Sequence, residues 1–103
     1  MVKVSFKPNK YELTITGHAG AGKSGDDIVC SAVSILFYSL AKSLSDNPQM
    51  FKEPVDITDE EGNGHLKCSP SPKYEATVKT MFTPTLTGFQ LLADTYPKFV
   101  SLT

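Results

Sequence analysis

The sequence predicts an α+β fold: a mixed β-sheet with two helices, in the order ββαββα, to which a last β-strand can be added. Three observations lead there. Apolar and polar residues alternate over the first sixteen positions, the period of half-buried strands. Past position 28 the apolar spacing becomes helical. A second pair of strand-like segments around Glu61-Gly62-Asn63-Gly64 then precedes a second long helical stretch.

Val2, Val4 and Phe6 alternate with Lys3, Ser5 and Lys7, and Pro8-Asn9-Lys10 turns the chain. Tyr11, Leu13 and Ile15 then alternate with Glu12, Thr14 and Thr16, so residues 2–17 read as a β-hairpin. After a glycine-rich loop, Val29, Ala32, Val33, Leu36 and Leu40 mark one face of a helix from Ile28 to about Ser45. Ile28, Ile35 and Phe37 widen that face, which predicts a helix buried on most sides. Asp26 or Asp27 supplies an N-cap, and Asp46-Asn47-Pro48 a stop.

Residues 53–58 read as a short strand, with Pro54 suited to an edge or a strand start. Glu61 to Gly64 is a turn, and His65 to Cys68 returns from it. The second helix is expected from about Lys73 to Thr95, kinked or split at Pro84, which lacks the donor for a mid-helix bond. Tyr96-Pro97 ends it, and Lys98 to Leu102 can add the last strand.

A chain of 103 residues, 40% apolar and 20% charged, is expected to form one domain over residues 1–103. A net charge of −1 provides no basic field, so no nucleic-acid partner is expected. The start is not that of a signal peptide and no run is read as reaching membrane-spanning length, so the expectation is a cytoplasmic protein without membrane contact. Two cysteines without CxxC spacing argue against a disulfide framework or a zinc site. Cys68, in a strand-like run, reads as a small buried hydrophobe.

The stretch from Gly17 to Cys30 admits two chemistries. Gly17 to Ser24 fits G-x-x-x-x-G-K-[ST], the consensus of a phosphate-binding loop. Such a loop follows a buried parallel strand and opens a helix at its Gly-Lys. Here the preceding strand is the second arm of a hairpin, the helical period starts several residues after Lys23, and no magnesium-binding aspartate ends a second buried strand. The other chemistry is a cysteine–histidine pair. Cys30 would lie in the first turn of the helix, where unpaired amides and the helix dipole favour a thiolate. His18, at the end of the strand, could activate it as a base. From the residues alone, a buried cysteine beside a loop histidine fits the same spacing.

Gly17-His18-Ala19, then Gly25, then Asp27-Ile28-Val29-Cys30 followed by a small pair and Val33-Ser34, resembles the signature of the ribosomal-processing cysteine proteases (Prp). The end Leu91-Leu92-Ala93-Asp94-Thr95-Tyr96-Pro97 is similar to that family's second helix and its stop. The resemblance implies a cysteine endopeptidase, with Cys30 as nucleophile and His18 as the base that later protonates the leaving amine. It implies supporting roles for Asp27, which could orient the histidine or cap the helix, for Ser34 one turn beyond the nucleophile, and for Gly17. Amides at the helix start, including that of Cys30, are then candidates for the oxyanion hole. Ala19, Gly20, Ala21, Gly22, Lys23, Ser24 and Gly25 would form a flap over the peptide.

The implied substrate is the N-terminal extension of the L-twenty-seven protein of the large ribosomal subunit, or a related phage structural protein. The implied assembly is a homodimer, with no metal and no cofactor. Two other readings stay open on the sequence: a catalytically weak member that binds a ribosomal or phage protein, and a nucleotide-binding loop.

Overall fold

The structure, a computed structural model, describes residues 1–18 and 23–103, and in the first helix the side chains from Ile28 onward. Strands β1 (Val2–Lys7) and β2 (Glu12–Thr16) form the expected hairpin, with Val4 opposite Ile15 and Phe6 opposite Leu13. A single 3-10 turn at Pro8–Lys10 joins them and ends at Tyr11, which takes a left-handed φ of 48°. Helix α1 (Lys23–Ser45) leads to a hairpin of β3 (Asp56–Glu60) and β4 (Asn63–Lys67). Helix α2 (Glu75–Thr95) then returns the chain to β5 (Val100–Leu102).

The five strands lie in the order β3-β4-β2-β1-β5, all neighbours antiparallel except β1 and β5. That one parallel pair makes the sheet mixed, as expected. Its cause is α2, a helical crossover that starts from β4 and must deliver a strand of the same direction. The alternating period decides the layering. Val2, Val4, Leu13, Ile15, Leu66 and Val100 are buried on one face of the sheet. They meet Val29, Val33, Phe37, Leu40 and Leu44 of α1 and Val78, Phe82 and Phe89 of α2. The register puts Glu12, Thr14 and His65 on the opposite face, where His65 Nε2 and Glu12 Oε2 lie 2.7 Å apart. That contact, more than the neighbouring cations, holds the Glu12 carboxyl below its ordinary range.

Several expectations need correcting. Helix α1 starts at Lys23, not Ile28, so Asp26 and Asp27 lie inside it and neither is its N-cap. The segment Lys23-Ser24-Gly25-Asp26-Asp27 contains no proline, and its acidic residues suit the positive helix end, so the helix extends back through it. Ile28 and Ile35 do not widen the buried face: they are 56% and 65% exposed, because only one side of α1 meets the sheet. The stretch Ile28–Ser45 does have the length and mean hydropathy, 1.6, of a membrane span. A third of that stretch is buried, and those residues belong to the protein core.

Strand β3 covers Asp56–Glu60 rather than 53–58, leaving Pro54 outside it, though it is the edge strand expected. The returning strand starts at Asn63, two residues early, because the turn is only Glu61-Gly62. Helix α2 is not split at Pro84. Pro84 and Thr80 are both exposed, so water can satisfy the Thr80 carbonyl that proline leaves without its donor.

Phe82 joins the two layers: it is 1% exposed, with its ring 5.2 Å from that of Phe6 and 5.8 Å from that of Tyr11. Phe82→Ala is expected to cost about 3–5 kcal/mol, read as a lower midpoint in urea unfolding with little change in slope.

Candidate active site

A groove of about 420 Å3 opens where the end of β2, the start of β4 and the β3–β4 turn meet the first half of α1. His18, Cys30 and Ser34 all line it, together with Gly17, Tyr38 and Asp59.

The β2 side is built around two glycines. Gly17 has φ +93°, and a Cβ there would come within 2.3 Å of the Met1 carbonyl oxygen. Its N–H donates to the Gly62 carbonyl at 2.9 Å. The next carbonyl, that of His18, accepts a hydrogen bond from the Met1 ammonium. The chain leaving β2 is therefore wedged between the first residue and the β3–β4 turn. Gly62 has φ +73°, and a Cβ added to it would lie 2.8 Å from His18 Nε2. The imidazole thus rests on a spot that only glycine leaves open.

Helix α1 forms the other side. Cys30, Ser34 and Tyr38 recur every four residues and so share one helix face. Cys30 is half-buried, while Ser34 and Tyr38 are exposed. Tyr38 Oη donates to Asp59 Oδ2 at 2.5 Å, across to β3. That hydrogen bond, with partial desolvation second, raises the phenol's pKa above its ordinary value. Asp59, Glu60 and Glu61 make the hairpin side of the groove acidic.

The two cysteines have opposite surroundings. Cys68 is buried beyond the end of β4, and desolvation pushes its thiol up to about 11, which leaves it a poor nucleophile. Cys30 opens on the groove. A half-buried thiol and an imidazole lining one peptide-sized groove have the makings of a thiol hydrolase.

Of the residues singled out in the sequence, Gly17, His18, Cys30 and Ser34 come together. Ala19, Gly20, Ala21 and Gly22 of the expected flap lie outside the described residues, as does the side chain of Asp27. Lys23, Ser24 and Gly25 are the first residues of α1, not part of a loop. The early start also moves Cys30 to the eighth helical position, so its N–H faces the Asp26 carbonyl within the helix. It is not one of the unpaired first-turn amides, and the dipole, which acts over the first turn, does not single it out.

The phosphate-loop reading gains one feature and loses another. The helix opens at Lys23 as that reading requires, but β2 is antiparallel to both its neighbours. Tyr38, Gly62 and Asp59 are among the groove residues that the sequence reading did not single out. Tyr38 could have been found by extending the Cys30–Ser34 spacing one turn. Gly62 was read only as a turn residue. Asp59 carried no signal, since its place depends on how β3 pairs.

The chain has a small α+β fold, and its groove holds the thiol and imidazole that a cysteine protease requires. The family model of the cysteine protease Prp matches residues 1–101, and the chain belongs to that family. A sequence search of curated proteins gives no match. Among solved structures, the Staphylococcus aureus ribosomal-processing protease Prp, with a covalently linked product peptide, superposes with a TM-score of 0.72 at 20% identity, over 99% of this chain and 95% of that one. The same protease with a substrate peptide gives 0.71 at 19% identity and the same coverage. A Streptococcus mutans protein gives 0.70 at 26% identity, over 99% of this chain and 90% of that one.

Gly62→Ala would place a methyl group against the imidazole on a backbone that disfavours side chains. Proteolytic activity is expected to fall by about tenfold or more, with the melting temperature lowered by only a few degrees. Peptide hydrolysis and a thermal melt of the same preparation read the two separately.

Proposed function

We propose that the protein is an endopeptidase whose nucleophile is Cys30 and whose general base is His18. The observation that carries this reading is that the two residues line the same groove, from opposite sides. A peptide bond laid in the groove is attacked at its carbonyl carbon by the Cys30 sulfur, while the imidazole takes the thiol proton. The tetrahedral intermediate collapses as His18 returns that proton to the leaving amine, which gives a thioester on Cys30. Water, deprotonated by His18, then attacks the thioester. The C–S bond breaks, His18 returns the proton to the Cys30 sulfur, and the new carboxylic acid leaves and ionises. The Cys30 amide faces the Asp26 carbonyl within α1 and so does not serve as an oxyanion donor. Ser34 supports the nucleophile from one turn beyond, and Gly17 lets the histidine segment pass close to the site.

The proposed substrate is the N-terminal extension of the L-twenty-seven ribosomal protein in the bacterial cytoplasm, or a phage structural protein cut at a similar sequence. The family resemblance supports this, as do the peptide-bound structures of the Staphylococcus aureus protease. The test is hydrolysis of a peptide spanning the extension junction. Wild type is expected to cleave it, Cys30→Ala to bind without cleaving, and His18→Ala to lose about 10²–10⁴ in rate. Cleavage by Cys30→Ala would sink the assignment.

We further propose a homodimer. Ile28 and Ile35 on α1 and Leu91 on α2, 61% exposed, supply apolar surface that a second copy would cover. Sedimentation equilibrium is expected to give a dimer for wild type and a shift towards monomer for Ile35→Asp.

A further inference from the structure

We propose that the Tyr38–Asp59 hydrogen bond is a clasp that holds the β3–β4 hairpin against α1 and so positions His18 relative to Cys30. The inference rests on the Cys30–His18 reading. The groove has two halves. Helix α1 carries Cys30, and the hairpin turn backs the His18 ring at Gly62 and accepts the Gly17 N–H. Tyr38 lies eight residues after Cys30 on the same helix face, about 12 Å along the axis, and reaches across to the hairpin.

The hairpin needs such a tie. β3 is an edge strand that pairs with β4 alone, and all five of its residues are exposed. Its anchors are therefore the β4 ladder and the bond from Tyr38 to Asp59. The ladder of β4 on β2 ends with Asn63 opposite Thr16, so β3 hangs on β4. The turn beyond the ladder is tied by the Gly17–Gly62 bond on one side and through β3 by Tyr38 on the other. Movement of that turn would carry Gly62 from under the imidazole, and a displacement near 1 Å can cost about a hundredfold in rate. Tyr38 and Asp59 are positioning residues; the reaction asks nothing of them directly. Among the described residues, the titratable groups facing the thiol and imidazole across the groove are Tyr38 on α1 and Asp59, Glu60 and Glu61 on the hairpin, with the Met1 amine at the His18 carbonyl.

The test needs no substrate. Alkylation of Cys30 by iodoacetamide is followed against pH by peptide mass in the folded protein, with buried Cys68 as the slow internal control. His18→Ala is expected to slow the reaction at neutral pH and move its profile upward. Tyr38→Phe keeps the ring packed edge-on to Phe37, 5.9 Å away, and removes only the hydroxyl. It should slow alkylation at neutral pH about threefold or more and shift the profile part of the way towards that of His18→Ala. Asp59→Ala should match it, and the double variant should add little, since both changes break one interaction. Asp59→Asn, which keeps an acceptor oxygen, should restore most of the rate.

Melting curves separate these effects from loss of fold, and Tyr38→Phe carries the test should Asp59→Ala not fold. A wild-type profile in Tyr38→Phe, alongside an altered one in His18→Ala, overturns the clasp. A wild-type profile in His18→Ala overturns the dyad, and the clasp with it.

Discussion

Only one face of the five-stranded sheet is apolar, and the burial of that face arranges the rest of the molecule. Leu13 and Leu66, side by side on the central strands, are fully buried and need a cover. Glu12, Thr14 and His65, on the other side of the same strands, cannot be covered by an apolar helix without large desolvation costs. Both crossover helices therefore lie on one face and pack against each other. The same arrangement brings the first half of α1 beside the end of β2 and leaves the outer β3–β4 hairpin with little helix over it. The groove is the space between that hairpin and α1.

The difference between the two cysteines follows from this layering. Cys68, just past β4, is enclosed with the core, and a thiolate there would lose its solvation with nothing in return. Cys30 sits on the flank of α1 that turns from the core towards the groove, where a polar reactant can reach it. The helix start lies seven residues upstream, so in the proposed dyad the imidazole, not the dipole, is the group placed to activate that thiol. The position of the imidazole is in turn a matter of backbone shape. Gly17 takes a left-handed turn against Met1, and Gly62 leaves space under the ring.

The elements of the candidate site thus come from parts of the chain with different degrees of burial. The β2 end is paired on both sides within the sheet, and α1 is bolted to it by buried residues. The β3–β4 hairpin, which supplies the acidic wall and Gly62, contributes only Leu66 to the buried apolar core. Function placed at the edge of a rigid core gains access for a peptide at the expense of stability, the usual balance at binding surfaces.

The order of elements was legible in the sequence because period 2 and period 3.6 are local properties that burial imposes on neighbouring residues. The first hairpin, both helices and the edge character of β3 were read in that way. His18, Cys30, Ser34 and Gly17 were singled out as candidates through resemblance to a family, since spacing alone did not separate a reactive pair from a buried cysteine beside a loop. What tertiary structure alone decided lay at boundaries and across the chain. The exposure of Ile28 and Ile35 depends on which side of α1 the sheet covers, and the start of α1 at Lys23 determines the place of the Cys30 amide. Gly62 under His18, and Tyr38 bonded to Asp59, join residues 44 and 21 positions apart, determined by strand register and helix placement that no local pattern encodes.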